Sequence, residues 1–104
     1  MKQFDLADNP FPRSRARQPL LVVLQSDLLT RILDTVVVAP LEPAPAGPHA
    51  DRLNPHVEVD GQPFVVVAQE VVTVRKSVLS APRGTIAHER DKIIAALDLL
   101  FTGF

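Results

Sequence analysis

Three proline-bearing stretches punctuate this chain: NPFP at 9–12, PLEPAPAGP at 40–48 and APRG at 81–84. Proline lacks the amide donor and restrains its predecessor, so each stretch interrupts regular structure. The middle one is the longest irregular stretch and is expected to be a mobile surface loop.

Between these breaks the periodicity is mostly that of strands. QFDLA alternates, with Phe4 and Leu6 on one face. PLLVVLQ and TVVVAPL are short β-branched runs of the kind that fills strands buried on both faces. In HVEVDGQPFVVVA, Val57 and Val59 alternate with His56, Glu58 and Asp60. Asp60-Gly61 then supplies positive φ for a type I′ hairpin turn. Pro63 cannot donate to a ladder, which puts this side at a sheet edge or bulge. VVTVRKSVL gives a further strand.

From Thr85 the spacing becomes helical. Ile86, Ile93, Leu97 and Leu100 form one stripe, with Asp91, Ala95, Asp98 and Thr102 opposite. Thr85 is the expected N-cap and Gly103 the expected C′ residue, where left-handed geometry suits glycine. The reading over residues 1–104 is one α+β domain, about five antiparallel strands in a curled sheet closed by a C-terminal helix.

Composition narrows the function classes. A chain of 104 residues supports one modest core, and its five aromatics are all Phe, so that core rests on Val, Leu and Ile. A net charge of −1 argues against a general nucleic-acid binder. With no cysteine there is no disulfide framework, thiolate zinc site or cysteine nucleophile. MKQFDLADNP does not read as a signal peptide, and no apolar run approaches membrane-spanning length. A small cytoplasmic domain without a cofactor is expected.

The sequence closes on LDLLFTGF. Terminal residues usually fray into water, so an apolar end implies either burial or a partner. Ile94 and Phe101 lie off the main helical stripe, and a small domain has no second layer to cover them. A two-fold homodimer is the expected solution; the alternative is a sheet curled enough to cover both stripes. For Phe104, Gly103 lets the chain turn away from the helix axis. The ring then enters either a partner's pocket, with an arginine pairing the α-carboxylate, or the subunit's own sheet.

LLVVLQSDLL, VAPL, NPHVEVDGQPFVVV and AHERDKIIAALDLLFTGF, in this order and spacing, resemble the CcdB toxin family of toxin–antitoxin pairs. The resemblance spans nearly the whole chain; its most specific parts are Gln25-Ser26-Asp27 and the closing helix ending in Gly-apolar. It implies a homodimer with a five-stranded SH3-like barrel sheet, a small accessory sheet and a C-terminal helix. It also implies a non-enzymatic toxin that grips the DNA gyrase A subunit and traps the cleaved DNA complex. A cognate antitoxin that folds on binding neutralises it. The gyrase-contacting tip maps by resemblance to Thr102, Gly103 and Phe104, joined by Phe101 and Asp98 and by Leu28 and Leu29. The family pattern has a tryptophan where this chain has Thr102. Indole stacking on partner arginines is therefore not open to it; either Phe104 takes over part of that contact or gyrase affinity is weak.

Other constellations are weaker. His56, Glu58 and Asp60 with His49 suggest a metal site, but a solvated hairpin face explains them better, and no metal is expected. His88, Glu89, Arg90 and Asp91 read as a charged helix surface rather than catalytic groups. Arg13, Arg15 and Arg17 form the only basic cluster, on an expected mobile loop, and suit either an acidic antitoxin segment or a merely soluble loop. No direct sequence-specific contact with nucleic acid and no membrane association are expected. The rival from another class is an endoribonuclease, since mRNA-cutting toxins share the architecture; it needs an acid–base pair and an arginine at the phosphate. A third possibility is an inactive relative that only binds an antitoxin.

Overall fold

The computed structural model describes residues 1–45 and 51–104. Among the described residues, seven strands form a single antiparallel sheet that curls into a half-barrel: β1 (Asp5–Asp8), β2 (Leu20–Val23), β3 (Thr35–Pro43), β4 (His56–Val59), β5 (Gln62–Val66), β6 (Val72–Arg75) and β7 (Gly84–Thr85). Their order is β4-β5-β3-β2-β1-β7, with β6 also paired to β3. The α-helices among the described residues are α1 (Asp27–Ile32) and α2 (Arg90–Thr102).

The β-branched runs behave as their composition dictates. All four residues of β2 are buried, because alternate side chains feed opposite faces of the sheet. Leu20 and Val22 join Phe4, Leu6, Leu41, Phe64, Val66, Ile86 and Ile93 in the main core. Leu21 and Val23 join Val36, Val38 and Val74 in a second cluster. Phe4 and Leu6 share a core as expected. Phe4 itself lies before β1, at φ 68°, a left-handed conformation uncommon outside glycine. It is held there by its amide on the Val23 carbonyl (2.7 Å) and by the Ile86 amide on its own carbonyl (2.9 Å).

The middle proline stretch is not wholly irregular. Pro40 to Pro43 continue β3, while residues 46–48 lie outside the described residues. Pro40 is tolerated because β3 changes neighbour at that point. Residues 35–38 pair with β6, and residues 41–43 pair with β5. The Pro40 carbonyl accepts from the Val67 amide (2.9 Å), so the missing donor falls in the gap between the two partners rather than against β2.

The β4–β5 hairpin turns through Asp60 and Gly61 at φ 52° and 77°, both positive as a type I′ turn requires. This hairpin attaches to the outer half of β3 and makes β4 an edge strand. Pro63 faces Glu58 in the hairpin register. β6 is shorter than the periodicity of residues 71–79 implies, because single 3-10 turns at Ala68–Glu70 and Lys76–Val78 bracket it.

The helix begins later than its sequence suggests. Thr85 pairs with Asp5 in β7, and its hydroxyl accepts from the Ala87 amide (3.1 Å) ahead of a 3-10 turn; α2 starts at Arg90 with no side-chain cap. Ile86 and Ile93 are fully buried, and Ala96 is buried beside them. Ile94 and Leu97 pack against the main core. Ile94 is thus partly buried against its own core, and Phe101 is the off-stripe residue left in water.

Candidate protein-binding tip and apolar helix

The end of α2 is built by two local bonds. The Gly103 amide donates to the Leu99 carbonyl at 3.0 Å, and Gly103 adopts φ 80°, the left-handed closure that glycine makes without strain. The Thr102 hydroxyl donates to the Asp98 carbonyl at 2.6 Å. Beyond this closure Phe104 is 83% exposed and Phe101 70% exposed, with Asp98, Thr102 and Gly103 also on the surface. Phe104 is not folded back onto its own sheet. Two aromatic rings in water on one short segment have the composition of a protein-contact surface.

Leu28 and Leu29 stand on α1, an element that the strand periodicity of LLVVLQ conceals. The chain leaves β2 through Gln25, whose side-chain amide, itself buried, donates to the Thr30 hydroxyl (3.2 Å) and the Thr35 carbonyl (3.0 Å). Ser26 then caps the helix, its hydroxyl accepting from the Leu29 amide. Thr30 turns inward, and the Lys76 ammonium donates to its carbonyl at 2.6 Å near the C-terminal end. This fixes the opposite side outward, where Leu28, Leu29, Ile32 and Leu33 are all exposed, Ile32 at 71%. Ile32 and Leu33 were not expected as surface residues. The signal for them is the Ser-Asp start followed by apolar residues at i, i+1, i+4 and i+5. No hydrogen bond or ion pair among the described residues joins α1 to the α2 tip.

The arginine loop is wound by its own hydrogen bonds. Asn9, buried below it, donates to the Ser14 hydroxyl (2.9 Å) and the Gln18 carbonyl (2.8 Å), and accepts from the Phe11 amide (2.9 Å). Backbone bonds from Ser14 and Arg15 to Phe11, and from Gln18 to Ser14, wind the loop into turns. Arg13 and Arg15 are exposed on it. Arg17 instead lies 3.9 Å from both Glu42 and Glu70. Buried Gln18 bridges the same two carboxylates with its side-chain amide, at 2.9 and 3.2 Å. Sequence reasoning missed this cluster, whose members come from three distant segments.

Among the described residues no three His, Cys, Asp or Glu side chains converge as metal ligands. His49 lies outside the described residues, and the His56 carbonyl accepts from Lys92 (3.2 Å). Glu89 pairs with Lys92, and Arg90 with Asp91, on the helix surface. No helix among the described residues is long and apolar enough to cross a membrane.

A family model described as CcdB protein matches residues 3–103. The chain belongs to the CcdB family. No curated protein matches it. Solved structures share the fold of this CcdB-family chain. One, described as the crystal structure of an Mtb toxin, has a TM-score of 0.67 at 22% identity, covering 81% of this chain and 92% of its own. The Mycobacterium tuberculosis toxin MazF-mt6 gives 0.70 at 19% identity, covering 96% of each chain. An endoribonuclease in complex with its cognate antitoxin, from Mycobacterial species, gives 0.69 at 13% identity, covering 94% and 91%. At these identities the likeness is one of fold.

Proposed function

We propose that this CcdB-family chain is the toxin of a toxin–antitoxin pair and acts by binding the DNA gyrase A subunit, trapping gyrase on cleaved DNA without making or breaking a bond itself. The observation that carries the reading is the outward ring of Phe104 beyond the Gly103 closure. Thr102, Gly103, Phe104, Phe101 and Asp98 form the contact tip, and Leu28 and Leu29 supply a second apolar contact. Phe104 takes the place of the ring that the family pattern carries at the position of Thr102.

Two partners accompany this reading. A second copy of the chain covers exposed apolar surface, for which Ile32 and Leu33, outside the gyrase contacts, are the candidates. An acidic antitoxin segment meets Arg13 and Arg15 on the loop that Asn9 holds in shape. Arg17, already close to Glu42 and Glu70, is the least available of the three.

The test is deletion of Gly103 and Phe104. The shortened chain loses toxicity and gyrase A binding while its thermal transition stays in place. Unchanged killing at equal expression removes the tip from the mechanism.

The second reading is an endoribonuclease, favoured by the fold shared with one and by Arg17 beside two carboxylates. Such an enzyme needs a base, an acid and a cation converging on a phosphate. Here both carboxylates already accept from buried Gln18. Incubation with RNA, and separately with gyrase and supercoiled DNA, separates the two. RNA fragments without gyrase-linked breaks select the enzyme.

A further inference from the structure

A cleft of about 590 Å3 opens between the first residues of the chain, α1 and the segment that follows β6. Its walls are tied to one another. The Gln3 amide donates to the Asp27 carboxylate at 2.8 Å, and the Gln3 side-chain amide to the Leu24 carbonyl at 3.0 Å. On the far side the Lys76 amide donates to the Asp34 carbonyl at 2.9 Å, and the Lys76 ammonium to the Thr30 carbonyl at 2.6 Å. Lys2, Arg31 and Lys76 line the space, and none of them forms a salt bridge among the described residues. Asp27 is the one acidic residue among the described lining residues. Three cations against one carboxylate leave a local charge of +2 in a chain whose net charge is −1.

We propose that this cleft binds a small sugar phosphate, a single phosphate monoester carried on a polyol. Such a monoester bears a charge of about −2 near pH 7, which matches the local excess, and its oxygens are strong acceptors for ammonium and guanidinium donors. Lys76 is already positioned by its bond to Thr30 and keeps two donors, so little ordering remains at that cation when the ligand arrives. Asp27 supplies the selection for a polyol. It repels a bare anion, yet the oxygen that the Gln3 amide does not occupy accepts a sugar hydroxyl. Exposed Ser80 adds a hydroxyl that donates or accepts. None of the described lining residues is aromatic, so a nucleobase gains no stacking surface, which favours a sugar phosphate over a nucleotide or a single strand. The volume lies within the range of small-molecule sites, about 300–1,000 Å3. The proposal goes beyond the gyrase reading and does not rest on it, because neither the tip residues nor Leu28 and Leu29 line the cleft.

The test titrates the full chain with ribose 5-phosphate, with ribose, inorganic phosphate and 5′-phosphorylated oligouridylate as separate arms. Ribose 5-phosphate shifts the backbone amide resonances of residues 27–31 and 76–81 saturably, and ribose does not. The double variant Lys2→Gln, Arg31→Gln keeps its thermal transition and binds about tenfold or more weakly, whereas Arg13→Gln with Arg15→Gln binds like the parent. Asp27→Asn narrows the preference for ribose 5-phosphate over inorganic phosphate. Absence of saturable shifts, shifts confined to other segments, equal affinity of the parent for inorganic phosphate, an unchanged preference in Asp27→Asn, or tighter binding of the oligouridylate overturns the assignment.

Discussion

The amide of Gly103 reaches the carbonyl of Leu99 at 3.0 Å, and this bond sets the direction in which the last side chain leaves the helix. An added Cβ at Gly103 meets nothing within 4 Å, so substitution there is a matter of backbone strain and not of space. Holding a non-glycine residue in the left-handed region costs about 1–2 kcal/mol. In Gly103→Ala the final turn relieves that strain by unwinding. Faster amide exchange at position 103, weaker gyrase A binding and a Tm within about 2 °C of the parent are expected, since only a terminal unit opens.

Phe104→Ala removes a ring that contributes nothing to the core, so the thermal transition is unchanged. If the ring enters an apolar pocket, its loss costs about 1.5–3 kcal/mol of binding. That corresponds to roughly 10- to 150-fold in Kd for a gyrase A fragment, read by calorimetry. Unaltered affinity places the contact elsewhere.

Ile32→Ser with Leu33→Ser tests the aliphatic side chains at the end of α1 that the gyrase contact does not use. Both side chains are exposed, so the fold tolerates the change. Sedimentation equilibrium is expected to show a dimer for the parent and a monomer for the double variant. A dimer persisting in the variant excludes that end of α1 from the interface.

Asn9→Ala leaves the buried Gln18 carbonyl and the part-buried Phe11 amide without their side-chain partner. A penalty of about 1–3 kcal/mol follows. It appears as a lower urea midpoint at unchanged slope, together with protease sensitivity at Arg13 to Arg17.

What the sequence disclosed follows from how local each feature is. The type I′ turn at Asp60-Gly61, the two-faced burial of Leu20 to Val23 and the glycine closure at Gly103 are decided by neighbours in the chain, and all were readable. Thr85 was misassigned because a hydroxyl that caps a turn and one that caps a helix look alike in sequence; β7 pairing with Asp5 decides between them. Pro40 looked like a breaker because the change of partner that accommodates it depends on strands more than twenty residues away. α1 is only six residues long and follows an apolar strand without a break, so its periodicity is too short to stand out. The Gln18–Glu42–Glu70 bridge spans 52 residues and has no local signature. At the candidate site, the resemblance picked out Phe101, Phe104, Leu28 and Leu29, and the structure places all four on the surface. Ile32 and Leu33 depended on recognising the helix that carries them.

The divided pairing of β3 bears on how the chain is made. Thr35 to Val38 emerge from the ribosome long before Val72 to Arg75, which among the described residues are the ones that pair with their free side. Throughout that interval the nascent polypeptide displays an open, valine-rich strand edge, the kind that recruits other strands. Premature termination between residues 43 and 71 would thus release a fragment with a permanently sticky flank, and translation that pauses there would favour chaperone capture over assembly.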